Sequence, residues 1–97
     1  MKTIIRKIGM NRGKARLWIE GDSLQSMGWT RGKRFNVTFG NGAIIIEAIT
    51  NGKRKIAGTE SRPIIDINTD KLRQCLGQCE SVQVIIQSNI IAITGIK

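Results

Sequence analysis

The sequence predicts a mostly β domain of the α+β kind, made of two β-β-α-β-β repeats with one short helix in each. Three observations carry this. Ala15, Leu17 and Ile19 alternate with Arg16, Trp18 and Glu20, the period-two pattern of a strand with one buried face. Isoleucine is abundant along the chain, and β-branched side chains pack well on a pleated surface. The same ordered pieces also occur twice. Arg6-Lys7-Ile8 recurs as Arg54-Lys55-Ile56, and the Ile19–Leu24 segment recurs as Ile67–Leu72, both at an offset of 48. Gly28 matches Gly77 at 49. Phe35-Asn36-Val37 matches Val82-Gln83-Val84, and Ile44 and Ile46 match Ile91 and Ile93, all at 47. The offset drifts in the loops and holds within the elements, as duplication predicts. The 97 residues therefore read as one domain, with repeats over 1–49 and 50–97.

Taken in order, Thr3 to Ile8 reads as a strand and Gly9 to Gly13 as an open loop. Lys14 to Glu20 is the second strand. Asp22 or Ser23 is the expected cap of a short helix, because their side-chain oxygens accept the free amide protons of its first turn. Leu24 and Met27 share one face of that helix, and Gly28 ends it, since glycine enters the left-handed C-terminal conformation without steric cost. Trp29 follows, where an apolar side chain packs back on the helix, and reads as core. Phe35, Val37 and Phe39 resume strand alternation. Gly40-Asn41-Gly42 is a hairpin turn into Ile44 and Ile46. Asn51-Gly52 marks the turn between the copies. In copy two, Pro63 starts a strand through Ile67, as proline tolerates a strand start or edge. Asn68-Thr69-Asp70 caps a helix with Leu72, Cys75 and Leu76, closed by Gly77. Val82–Ile86 and Ile90–Thr94 form the last hairpin.

The chain carries 16 basic and 7 acidic residues, net +9, with a pI near 10.4. That balance suits a polyanionic partner. The charge is uneven, net +6 over residues 1–50 and +3 over 51–97. Met1 to Arg16 holds six basic residues and no acidic one. Exposed amides in the Gly9–Gly13 loop, with Lys7, Arg12 and Lys14 around them, suit phosphate contact. A nucleotide-binding P-loop is excluded, because Gly13-Lys14 has the wrong spacing from Gly9 and Ala15 follows. Trp18, on the polar face of its strand, is open to two roles. It can stack on a base or cover a neighbouring surface, including a protein partner. Thr30–Arg34 is a basic turn with a secondary phosphate-contacting role.

Catalytic and metal chemistry find no support. There is no His. Asp22, Asp66 and Asp70 sit near expected helix starts, and Glu20 and Glu47 are solvated strand residues. Cys75 and Cys79 fall short of the four ligands of a zinc site and read as small, half-buried side chains. No cofactor is expected. No apolar run approaches the ~18 residues of a membrane span. Met1–Ile5 begins like a secretion signal, but Arg6 and Lys7 interrupt it, so a cytoplasmic location is expected.

Several pieces of the first copy, taken together, resemble a known family. They are Leu17–Gly21, Leu24, Met27-Gly28-Trp29, Gly32, Phe35-Asn36-Val37 and Gly42–Ile46, preceded by Lys7-Ile8-Gly9 and Arg12-Gly13. The set resembles the AbrB-like swapped-hairpin DNA-binding domains, and within them the SymE group of small toxin-like proteins. Copy two matches more weakly, through Arg62-Pro63, Leu72 and Gly77. The resemblance implies a pseudo-two-fold swapped-hairpin β-barrel, formed by one chain as a monomeric pseudo-dimer or by a homodimer. It also implies nucleic-acid contacts by Arg6, Lys7, Arg12, Lys14 and Arg16, with Arg54, Lys55 and Arg62 from copy two. Glu60 and the lack of an Arg12 equivalent in copy two argue against symmetric recognition of a palindrome. The expected function is that of a small DNA-binding regulator or architectural factor, with RNA as the other nucleic-acid target. The alternative is a phage- or plasmid-borne interaction protein, an inhibitor or antitoxin-like subunit, using Trp18 and the isoleucine-rich second copy. An RNA-directed toxin follows only from the SymE resemblance.

Overall fold

The computed structural model describes residues 1–96. The chain order is β1 (Lys2–Lys7), β2 (Gly9–Asn11), β3 (Lys14–Glu20), α1 (Asp22–Gln25), β4 (Arg34–Phe39) and β5 (Ala43–Ala48). It continues with β6 (Arg54–Lys55), β7 (Ala57–Gly58), β8 (Pro63–Asn68), α2 (Lys71–Leu76), β9 (Ser81–Ile86) and β10 (Ile90–Ile96). The strands form two antiparallel sheets, one of six in the order β1-β9-β10-β5-β4-β6 and one of four in the order β2-β3-β8-β7. The mostly β character and the two short helices are as the sequence predicts.

The alternating apolar residues make the core. Leu17 and Ile19 of β3 and Ile65 and Ile67 of β8 line one wall. Ile44 and Ile46 of β5, Val82, Val84 and Ile86 of β9, and Ile91 and Ile93 of β10 line the other. All are buried, and burying each such side chain contributes about 1.5–3 kcal/mol. Leu24 of α1 and Leu72 and Leu76 of α2 join the same core. No helix among the described residues is long and apolar enough to cross a membrane.

The pairing registers bring residues 47 or 48 positions apart face to face. In the four-stranded sheet Trp18 faces Asp66, its match at an offset of 48, while Leu17 faces Ile67 and Ile19 faces Ile65. In the six-stranded sheet Ile45 faces Ala92, 47 residues on, while Ile44 faces Ile93 and Ile46 faces Ile91. Shifting residues by 47 or 48 positions maps each of these pairings onto another of the same sheet. The outer strands obey the same shift. Lys7 faces Ser81 and Arg6 faces Val82 on one edge, and Lys55 faces Arg34 and Arg54 faces Phe35 on the other.

Two local features differ from the expectation. Gly9–Gly13 is not an open loop. The backbone passes Ile8, whose N–H donates to the Glu80 carbonyl at 2.8 Å, and then pairs with β3 as β2. The cause is a two-residue turn at Arg12-Gly13, with φ of 55° and 79°, which folds the chain directly back on itself. The capping oxygens also differ, although the cap position of α2, Asp70, lies within the expected Asn68-Thr69-Asp70 segment. Gly21, at φ 90°, occupies the cap position of α1, so Asp22 lies inside the first turn and makes no capping bond. Asp70 likewise makes no side-chain cap, and the Thr69 hydroxyl accepts the Lys71 N–H at 3.3 Å.

The helix ends follow the expectation. Gly28 N–H donates to the Gln25 carbonyl at 3.1 Å, and Trp29 N–H to the Leu24 carbonyl at 3.0 Å. This pair of bonds is a Schellman closure, which brings Trp29 onto Leu24. Gly77 closes α2 with a single bond to the Arg73 carbonyl at 2.8 Å.

Candidate nucleic-acid interface

The first hairpin carries Arg12 and Lys14, and Lys7 leads into it. Lys14 faces Asn11 next to the turn, and Arg12 stands exposed at its tip. Arg12 is the only non-glycine residue with positive φ among the described residues. Turns of this kind favour Asn or Gly there, and a side chain in the left-handed region costs about 1–2 kcal/mol. Lys7 sits at the end of β1, just before the corner at Ile8. Arg12→Asn is expected to leave the urea midpoint unchanged or raise it slightly, while weakening nucleic-acid binding. A stability loss above about 1 kcal/mol, measured against the ordinary scatter of surface changes, would show that Arg12 is structural instead.

Arg16 is committed elsewhere. Its Nε and Nη2 donate to Asp66 Oδ1 and Oδ2, both at 2.9 Å, a bidentate fork. The guanidinium also lies 4.4 Å over the Trp18 ring. The hydrogen bond to Asp66 holds the Arg16 pKa above its ordinary value. Trp18 is 36 % exposed, but Arg16 covers one ring face, so only the other is open for stacking. Arg62 approaches Glu20 at 3.6 Å. Arg6 turns its Nη1 back to the Ile5 carbonyl at 2.9 Å.

Arg54 and Lys55 do not join the first hairpin. They form β6, at the opposite edge of the six-stranded sheet from β1. Other cations gather around them there. Arg34 faces Lys55 directly. Arg31 and Lys55 border one depression of about 340 Å³ with Gly32, Ile56 and Glu60. Lys53 and Arg54 border a second, of about 310 Å³, with Asn36, Val37 and Thr38. The sequence displays both basic runs, Arg31–Arg34 and Lys53–Lys55, but their meeting depends on a strand pair of only two residues on each side. Lys33 serves the fold instead. Its Nζ donates to the Ser88 carbonyl at 3.0 Å and the Gly28 carbonyl at 3.2 Å, over the Trp29 ring.

A groove of about 830 Å³ lies beside α2. Asn41, Gly42, Gln74 to Ser81 and Ile96 line it, with Glu80 as the one charged side chain among the described residues. Cys75 is half-buried and donates its Sγ–H to the Ala43 carbonyl at 3.2 Å. Cys79 is buried and nests against Gly95. No protein-family model matches the chain, nor does any curated protein or solved structure.

Proposed function

We propose that this chain is a nucleic-acid-binding protein, a small DNA-binding regulator or architectural factor built as a pseudo-two-fold swapped-hairpin barrel. The exchange-symmetric registers support the barrel reading. So does the way β1 and β2 share one run of chain while pairing in different sheets, as β6 and β7 do. The observation that carries the function is Arg12. An arginine holds a strained position at the tip of the β2–β3 hairpin, flanked by Lys14, with no carboxylate paired to either among the described residues. Strain of this kind is retained where function uses it. Phosphate contact by the hairpin is the use that fits a chain of net charge +9.

Fluorescence anisotropy of random-sequence duplex DNA, titrated at several salt concentrations, tests the reading. Affinity is expected to fall steeply with salt, because each neutralised phosphate releases counterions. Absence of binding at low salt overturns it and favours a protein partner.

A further inference from the structure

We propose that the edge where β4 meets β6 is a second phosphodiester-binding surface, apart from the first hairpin. This rests on the nucleic-acid reading above. Residues directly opposite on an antiparallel pair share one face, and like charges placed so destabilise the pair. Arg34 and Lys55 are such a pair. Arg31 borders the same depression as Lys55, and Lys53 and Arg54 border the next. Glu60 is the one carboxylate bordering either depression, and no ion pair among the described residues joins it to these cations. An external polyanion relieves the repulsion that the fold leaves uncompensated.

The cations are also mounted on fixed backbone. Gly32 N–H donates to the Ile56 carbonyl and Ile56 N–H to the Lys33 carbonyl, both at 2.9 Å. Arg34 Nη1 donates to the Gly52 carbonyl at 2.9 Å. Lys53 N–H donates to Asn36 Oδ1 at 2.9 Å. Less ordering is then needed on binding.

The opposite edge supplies the contrast. There Lys7 faces Ser81 and Arg6 faces Val82, positions that correspond to Lys55 with Arg34 and Arg54 with Phe35. Ser81 thus stands where the other copy has Arg34, and Glu80 where it has Lys33. The chain leading to Ser81 borders the groove beside α2, which no cation lines among the described residues. The architecture is symmetric, but its basic cladding is not.

The test is the variant Arg31→Gln/Lys53→Gln/Lys55→Gln, which leaves Arg34 to hold Gly52. Circular dichroism checks its fold. With random-sequence duplex DNA, the slope of log affinity against log salt is expected to shallow by ~2.7, at ~0.9 per lost phosphate contact. Lys53→Gln alone is expected to shallow it by ~0.9, which keeps the test open if the triple variant does not fold. Lys2→Gln, at the far end of β1, is expected to leave the slope unchanged. An unchanged slope in the edge variants, with wild-type binding intact, overturns the edge assignment and leaves the nucleic-acid reading standing. An equal loss in Lys2→Gln overturns it too, because the effect is then one of net charge. Failure of the wild-type chain to bind at low salt overturns both.

Discussion

Trp29→Ala is expected to cost about 3–5 kcal/mol, the range for emptying a buried aromatic site. The indole is fully buried and meets Phe35 edge-on at 6.4 Å between ring centres. Its Nε1–H donates to the Gln87 carbonyl at 2.6 Å. That bond ties the end of α1 to the turn between β9 and β10. Truncation therefore removes packing, a hydrogen bond and a link between these two segments together. A small domain has about 5–15 kcal/mol in total, so the variant sits close to its unfolding midpoint in water. Urea unfolding followed by circular dichroism measures the loss. Trp29→Phe is expected to lose less, because the ring volume stays largely filled and the Gln87 carbonyl belongs to an exposed turn that water reaches. A loss below about 1 kcal/mol in Trp29→Ala, the scale of an ordinary surface change, would mean that the indole does not hold the two segments together.

Trp29 also marks how far the sequence can be read. Its burial follows from its place after Gly28, because the helix closure dictates where the next side chain goes. The main strands were legible for a similar reason. Alternation reports which face is buried, and the offsets of 47 and 48 recur as residues facing each other across two strand pairs. The short strands β2, β6 and β7 were not legible, since two or three residues show no period. The cap of α1 was missed because Gly21 turns the backbone at φ 90°, so the helix starts one residue before the expected capping oxygens can act, whereas the cap position of α2 is Asp70, within the expected Asn68-Thr69-Asp70 segment. The candidate site was legible in composition but not in partnership. Arg16 meets Asp66 fifty residues away, and nothing near either residue announces the pair. Arg34 and Lys55 are each visible as part of a basic run, but only a short ladder at a sheet edge brings them together.

That ladder gives the second large effect. Gly52→Ala is expected to cost about 1–3 kcal/mol, as for overpacking a filled site. Gly52 is buried, and a Cβ there would lie 2.6 Å from the Phe35 nitrogen and 2.7 Å from its carbonyl carbon and oxygen. These are backbone atoms of β4, so no flexible side-chain end can yield, and the linker itself must shift. The linker carries the cations of the proposed edge. Gly52 N–H closes the turn onto Ile49 at 2.9 Å, its carbonyl holds Arg34, and Lys53 to Lys55 follow directly. The substitution changes no charge, yet it is expected to shallow the salt dependence of DNA binding, because the edge cations leave their positions against β4. Asn51→Ala, exposed in the same turn, is expected to change neither stability nor slope. A normal urea midpoint for Gly52→Ala would refute the close approach of linker and strand. A lowered midpoint with an unaltered salt slope would separate the two roles, leaving Gly52 to the fold and placing the DNA contacts on the first hairpin.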